Sequence, residues 1–151
     1  MKVKILVAIS LTLALIFAAA CTAAHAGIEG ENDQGVKEIA ITTSDEFDQN
    51  QYIQKEVEIA KGDTLVVTLF SNGTTGFNWD ENARIADAEI IQQLKHEYIS
   101  PETNIPGAPG VEQWTFEAVN IGMTTVHLEY SRPWEGGEKG VWTFDLNVTV
   151  K

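Results

Sequence analysis

From residue 36 to the end, the chain reads as a series of short runs in which apolar and polar positions alternate. The last run shows it best: Val141, Thr143, Asp145, Asn147 and Thr149 fall on one face, and Trp142, Phe144, Leu146, Val148 and Val150 on the other. A period of two is that of a strand with one buried face. Residues 37–42 and 52–60 have the same β-branched, alternating character, and residues 64–70 (TLVVTLF) are apolar enough for a central strand. Residues 90–98 (IIQQLKHEY) fit a strand or one or two turns of helix equally well. Runs at 111–119 and 124–130 flank Asn120-Ile121-Gly122, which reads as a hairpin turn. No long amphipathic helix is visible. The pattern predicts an all-β, antiparallel β-sandwich of about seven to eight strands.

Ahead of these strands lies a different kind of sequence. Lys2 and Lys4 precede a sixteen-residue uncharged run, Ile5 to Ala20, followed directly by small residues. A membrane span needs about 20 residues, so residues 1–26 read as an export leader. Two processing sites compete. Ala24-His25-Ala26 suits ordinary cleavage before Gly27, giving a secreted protein. Ala18-Ala19-Ala20-Cys21 resembles a lipoprotein box, in which Cys21 is lipidated and anchors the protein to a membrane. The position of the sole cysteine at the end of the apolar run favours the second. Residues 22–35 are polar and small and read as a flexible tether, leaving 36–151 as the folded domain.

Composition narrows the function. The 151 residues hold 10 Lys+Arg against 22 Asp+Glu, a formal charge of −12, and the leader carries two of those lysines. That length suits one domain, and 44% hydrophobic residues suffice for its core. So acidic a surface is a poor partner for a phosphate backbone, which argues against nucleic acid. One cysteine excludes an internal disulfide framework and multi-cysteine metal sites. The three histidines, His25, His96 and His127, are not spaced as ligands, and no glycine-rich phosphate loop precedes a helix. Nucleophilic catalysis needs a base oriented beside its nucleophile, and no such grouping is visible, so neither a catalytic site, a metal nor a cofactor is expected.

Three loops are odder than a plain sandwich needs. The first, Ser71-Asn72-Gly73-Thr74-Thr75-Gly76-Phe77-Asn78-Trp79, follows the most apolar strand. The second is Pro106-Gly107-Ala108-Pro109-Gly110, before a strand with Trp114 and Phe116. The third, Ser131-Arg132-Pro133-Trp134-Glu135-Gly136-Gly137, sets Arg and Trp around a proline, and both residue types are enriched at interface hot spots. With immunoglobulin-like connectivity, loops after the second, fourth and sixth strands emerge at one end, and these three lie near those places. Together they form a binding edge on a stiff scaffold.

The same residues resemble the chagasin-type inhibitors of papain-like cysteine proteases. That family carries Asn-Pro-Thr-Thr-Gly-(aromatic)-x-Trp, a glycine-rich loop before an aromatic-containing strand, and Arg-Pro-Trp, in that order. Here they correspond to Asn72 through Trp79, to Gly107 through Gly110 and to Arg132-Pro133-Trp134, over nearly all of 36–151. Gly73 stands where the family has proline. The resemblance implies a monomeric, reversible inhibitor that occludes a protease cleft. Asn72, Gly73, Thr74, Thr75, Gly76 and Phe77 would supply the wedge beside the catalytic cysteine. Gly107, Ala108, Pro109 and Gly110 would flank its unprimed side, and Arg132, Pro133 and Trp134 its primed side. Two other classes remain. A cell-surface carbohydrate-binding or adhesion sandwich would use Trp134 and Trp79 as stacking platforms, and a zinc or copper carrier would need ligand clusters that the sequence lacks.

Overall fold

The computed structural model describes residues 35–103 and 105–151. The leader, Cys21 and the polar stretch up to residue 34 lie outside the described residues. The elements run β1 (Val36–Ile41), α1 (Asp45–Gln49), β2 (Tyr52–Ile59), β3 (Thr64–Ser71), β4 (Asn78–Trp79), β5 (Arg84–Ile85), β6 (Ile91–Ile99), β7 (Gly110–Ala118), β8 (Gly122–Ser131) and β9 (Trp142–Val150). They make two sheets, ordered β1-β3-β7-β6 and β2-β9-β8-β4, with β5 also paired to β8.

The sandwich follows from alternation. Leu65, Val67 and Leu69 of β3 and Trp114 and Phe116 of β7 are buried, as are Val126 and Leu128 of β8 and Phe144, Leu146 and Val148 of β9. Each such side chain contributes roughly 1.5–3 kcal/mol through burial. The apolar run at 64–70 is central, as expected, with β1 and β7 on either side. The ambiguous run at 90–98 is a strand, β6, with a register shift between Gln93 and Lys95.

The pairing departs from the sequence reading in two places. β1 runs parallel to β3 and β2 parallel to β9, so the sheets are mixed rather than purely antiparallel. A parallel pair needs a crossover, and here β2, in the opposite sheet, supplies the return between β1 and β3. Asn120-Ile121-Gly122 does not close a hairpin either, because β7 and β8 belong to different sheets. The turn is an arch between layers, fastened when Val119 and Asn120 N–H donate to the Ile90 carbonyl at 2.8 and 3.2 Å. Alternation reports which side chains face the core; two facing strands and two neighbouring strands satisfy it equally.

The five-residue α1 has a single apolar side chain, Phe47, too little to announce a helix. Phe47 is wholly buried, with its ring 5.2 Å from Trp79 and 5.1 Å from Trp142. It plugs the sandwich on the side where β3 ends.

Candidate functional site

Strand register places all three unusual loops at one end. Ser71, the last residue of β3, lies opposite Gly110, the first of β7, and Ile99 at the end of β6 lies opposite Val111. Asn78 of β4 lies opposite Ser131 at the end of β8, and Tyr130 opposite Trp142. The second loop therefore closes a hairpin in one sheet and the third closes a hairpin in the other. The first passes from β3 to β4, from sheet to sheet, and sits between them. The loops follow β3, β6 and β8 rather than the second, fourth and sixth strands; with the two-residue β4 and β5 set aside they follow the third, fourth and sixth, because β1 is itself a paired strand ahead of β2 and β3.

The first loop is folded on itself. Asn72 Oδ1 accepts from Thr74 N–H at 3.2 Å and from Thr74 Oγ1 at 2.6 Å. The Asn72 carbonyl accepts from Thr75 N–H at 3.1 Å and from Thr75 Oγ1 at 2.7 Å. These bonds wind Gly73–Thr75 into a 3-10 turn, closed when Gly76 N–H donates to the Gly73 carbonyl at 3.1 Å. Gly76 then takes φ +79°, a left-handed conformation that favours glycine. Both threonine hydroxyls are occupied within the loop, while Gly73, Thr74 and Thr75 are exposed at the tip.

The third loop leans on the first. The Arg132 guanidinium lies 4.4 Å from the Phe77 ring centroid and 5.7 Å from that of Trp134, a cation–π stack joining the two. A Cβ placed on Gly76 would come 2.7 Å from Trp134 Cη2, so the indole covers the glycine. Trp134 nevertheless stays 52% exposed. Lys139 Nζ donates to the Arg132 carbonyl and, at 3.3 Å, to that of Trp134, and Arg132 N–H donates to the Glu138 carbonyl at 2.8 Å. Phe77 is half-buried, stacked 5.6 Å from Tyr130, whose hydroxyl accepts from Asn72 N–H at 2.9 Å. Of the thirteen residues singled out from sequence, those of the first and third loops form one connected knot. Gly107 to Gly110 stand apart on the β6–β7 hairpin.

That hairpin is less supported. Among the described residues its internal bonds are Ala108 N–H to the Ile105 carbonyl at 3.1 Å and Ile105 N–H to Thr103 Oγ1 at 3.3 Å. Only Gly110 is sterically obligatory: a Cβ there would meet the Ile99 carbonyl oxygen at 2.4 Å and Tyr98 Oη at 2.6 Å. Tyr98, Ile99 and Ile105 leave apolar surface open beside it.

Beneath the loops lies a group that the sequence reading passed over. Glu112 is 3% exposed. Its Oε1 accepts from Ser71 Oγ at 2.7 Å and from Trp79 N–H at 3.1 Å, and its Oε2 meets His96 Nε2 at 2.9 Å. A signal was available: Glu112 shares the inward face of β7 with Trp114 and Phe116, where a carboxylate is out of place. A shallow cleft of about 670 Å³ opens here, between Gly73 and Asn78 on one side and His96, Tyr98 and Glu112 on the other.

The outward face of β8 carries a separate charge ladder. Arg84 bonds Glu129 at 2.8 Å and Asp80 at 3.2 Å, and His127 lies between Asp145 and Glu129. The hydrogen bond from Arg84 holds the Glu129 carboxyl below the ordinary carboxylate range. Among the described residues no three His, Cys, Asp or Glu side chains cluster as a metal site would. Trp79 is 3% exposed and donates its indole N–H to the Phe70 carbonyl at 2.8 Å. It is a core residue and no stacking platform for a glycan, which leaves Trp134 alone on that reading.

The chain is similar to several known proteins. The model of the chagasin family peptidase inhibitor I42 matches residues 58–148, a span that contains all three loops. Chagasin of Trypanosoma cruzi is 31% identical over 80 residues, covering 52% of this chain and 73% of that one. Amoebiasin-2 of Entamoeba histolytica is 24% identical over 95 residues, 63% of this chain and 76% of that one. Among solved structures, the cysteine protease inhibitor EhICP2 from Entamoeba histolytica superposes with a TM-score of 0.60 at 19% identity, covering 77% of this chain and 97% of that one. PbICP-C, solved in complex with falcipain-2, gives a TM-score of 0.51 at 16% identity, with 78% and 99% covered. Those two likenesses concern the fold.

Proposed function

The chain belongs to the chagasin family of peptidase inhibitors, and on that premise we propose that its three-loop edge is the surface that blocks a papain-like cysteine protease. The family is one of inhibitors and not of enzymes. The wedge is Asn72 to Phe77, with Thr74, Thr75 and Gly76 entering the cleft. Gly107 to Gly110 lie along its unprimed side and Arg132, Pro133 and Trp134 along its primed side. The observation that carries this reading is the pre-folded first loop, exposed at its tip and braced from beside by Arg132 and Trp134. A papain-like cleft holds a thiolate–imidazolium pair at its base, and a small-residue turn can approach that pair closely. A loop ordered before binding loses little entropy on entry, which favours tight reversible inhibition.

The inhibitory unit is residues 36–151, acting as a monomer beyond a flexible tether. Export and anchoring through lipid on Cys21 are part of the same proposal, since a leader and a lone cysteine at its end put the inhibitor where it meets extracytoplasmic proteases. Titration of active papain with the purified protein tests the function: stoichiometric, reversible loss of activity is expected, and undiminished activity at micromolar inhibitor overturns it. Detergent-phase partitioning, lost in Cys21→Ser, tests the anchor. A mature N-terminus at Gly27 would overturn the anchor and leave a secreted inhibitor.

A further inference from the structure

We propose that Glu112 is the positioning residue that keeps the Thr74-Thr75-Gly76 wedge from becoming a substrate of the protease it blocks. The inference rests on the inhibitor reading above. Glu112 lies in β7, outside the three loops, yet a single oxygen of it holds both stems of the first. Ser71 immediately precedes Asn72, Trp79 immediately follows Asn78, and both donate to Glu112 Oε1, at 2.7 and 3.1 Å. The other oxygen is taken by His96 of β6 at 2.9 Å, and the His96 ring rests 5.0 Å from that of Trp114. One buried carboxylate thus joins β3, β4, β6 and β7, across both sheets, directly under the wedge.

Packing alone does not call for this group. Burying a carboxylate is costly unless it is fully paired, and an apolar side chain on the inward face of β7 would fill the space at less expense. What the carboxylate adds is geometry: it fixes the separation of two residues that frame a seven-residue excursion, Asn72 to Asn78. A cysteine protease cuts a segment that lies extended in its cleft with the scissile carbonyl in line with the thiolate. Cutting Thr75–Gly76 would add water across that C–N bond, leaving a carboxylate on Thr75 and an amine on Gly76. The 3-10 turn, closed by Gly76 N–H on the Gly73 carbonyl, is not extended, and opening it requires the stems to move apart. Glu112 prevents that movement. If the bond were cut, pinned stems would also hold the new ends together and favour resealing.

The test compares wild type, Glu112→Ala, Glu112→Gln and a core control, Val126→Ala, whose site in β8 is fully buried and is not among the hydrogen-bond partners of the carboxylate. Each is incubated with active papain; inhibition is followed over time and the cut sites are mapped by mass spectrometry. Wild type should stay intact. Glu112→Ala should inhibit about tenfold more weakly, lose inhibition over time and be cut between 72 and 78. Glu112→Gln, which keeps an oxygen for Ser71 and Trp79, should restore resistance. Val126→Ala should lose melting temperature without being cut in that window, which separates positioning from general destabilisation. Should Glu112→Ala lack a cooperative melt, Ser71→Ala carries the comparison, since it frees one stem and leaves the carboxylate in place. An uncut loop with unchanged inhibition in the variant that folds overturns the inference. So do cuts spread over the sandwich as in Val126→Ala. A wild type that leaves papain active overturns the inhibitor reading, and the inference with it.

Discussion

The two flanks of the proposed binding edge are built differently. On the side of β8 and β9 the third loop is locked to the first by Arg132 over Phe77 and Trp134 over Gly76. On the side of β6 and β7 the second loop stands on an exposed hairpin, and a Cβ on Gly107 would meet nothing within 4 Å. Each side has a glycine with positive φ, +79° at Gly76 of the first loop, beneath the third, and +83° at Gly107 of the second, so local backbone geometry does not distinguish them. What distinguishes them is whether another loop fills the space over the glycine. A flank pre-ordered by contacts loses little freedom on docking, whereas a flank held only by its own turn can adjust to its partner. The molecule thus joins a braced first loop, the proposed wedge, to a more adaptable arm.

The strongest way to break this contrast is Trp134→Ala, which removes both an exposed aromatic and the cover over Gly76. Inhibition should fall by about 2 kcal/mol or more, some thirtyfold, as for a hot-spot truncation. Stability should move by only about 0.5 kcal/mol, because the side chain is half in solvent. Inhibition constants and melting curves measured together decide it; a large drop in melting temperature with unchanged inhibition would make Trp134 a core residue.

Paired alanine substitutions sharpen the contrast next. Gly76→Ala combines a left-handed backbone with a clash against the indole and should weaken inhibition about tenfold, at roughly 1–2 kcal/mol of strain. Gly107→Ala meets the backbone cost alone, and the free hairpin can relax it, so a two- to threefold loss is expected at about 0.5 kcal/mol. Equal losses would show that the cover over Gly76 is energetically silent.

A smaller effect, of opposite sign, is expected at Gly73. It opens the 3-10 turn without positive φ, and its N–H has no partner within the turn. A proline there is pre-set for the first position of such a turn. A Cβ at Gly73 would meet only Asn78 Oδ1, at an ordinary 3.8 Å. Gly73→Pro should tighten inhibition two- to fivefold, through about 0.4–1 kcal/mol of freedom removed from the unbound chain. Weaker inhibition would mean that Asn72, at φ −126° and ψ 85°, cannot extend as a residue before proline must.

The smallest expected effect lies away from the loops. The Arg84 hydrogen bond lowers the folded-state pKa of Glu129, so its contribution to stability is full above the unfolded pKa and is lost as pH falls through the folded one. Melting temperature should decline between about pH 5 and pH 3, and Glu129→Gln should flatten part of that slope. Inhibition above that range should not change. An identical slope in the variant would sink the assignment.

Much of the edge is legible in the residues alone, because its parts are local. Asn72 caps the turn that Thr74 and Thr75 complete, all within five positions, and Gly76 ends it with a conformation that glycine favours. Proline-glycine loops and the Arg-Pro-Trp turn announce themselves in the same way. The roles of Glu112, His96, Tyr130 and Phe47 were not legible because each acts through a partner remote in the chain. Ser71 and Glu112 are 41 positions apart, and Asn72 and Tyr130 are 58 apart.

The alternation of apolar and polar residues was sufficient to predict a β-sandwich and to assign the faces of β9, and the nearly continuous apolar run at 64–70 marked β3 as central. Each of these is a property of one strand against one core, written into period-two burial or a continuous apolar run. Which strand lies beside which is a property of pairs. The parallel partnerships of β1 with β3 and β2 with β9, the arch at Asn120 and the Trp134 cover on Gly76 all arose only when the layers packed. A strand's own pattern is the same whichever neighbour it hydrogen-bonds, so the choice among neighbours had to wait for the whole core.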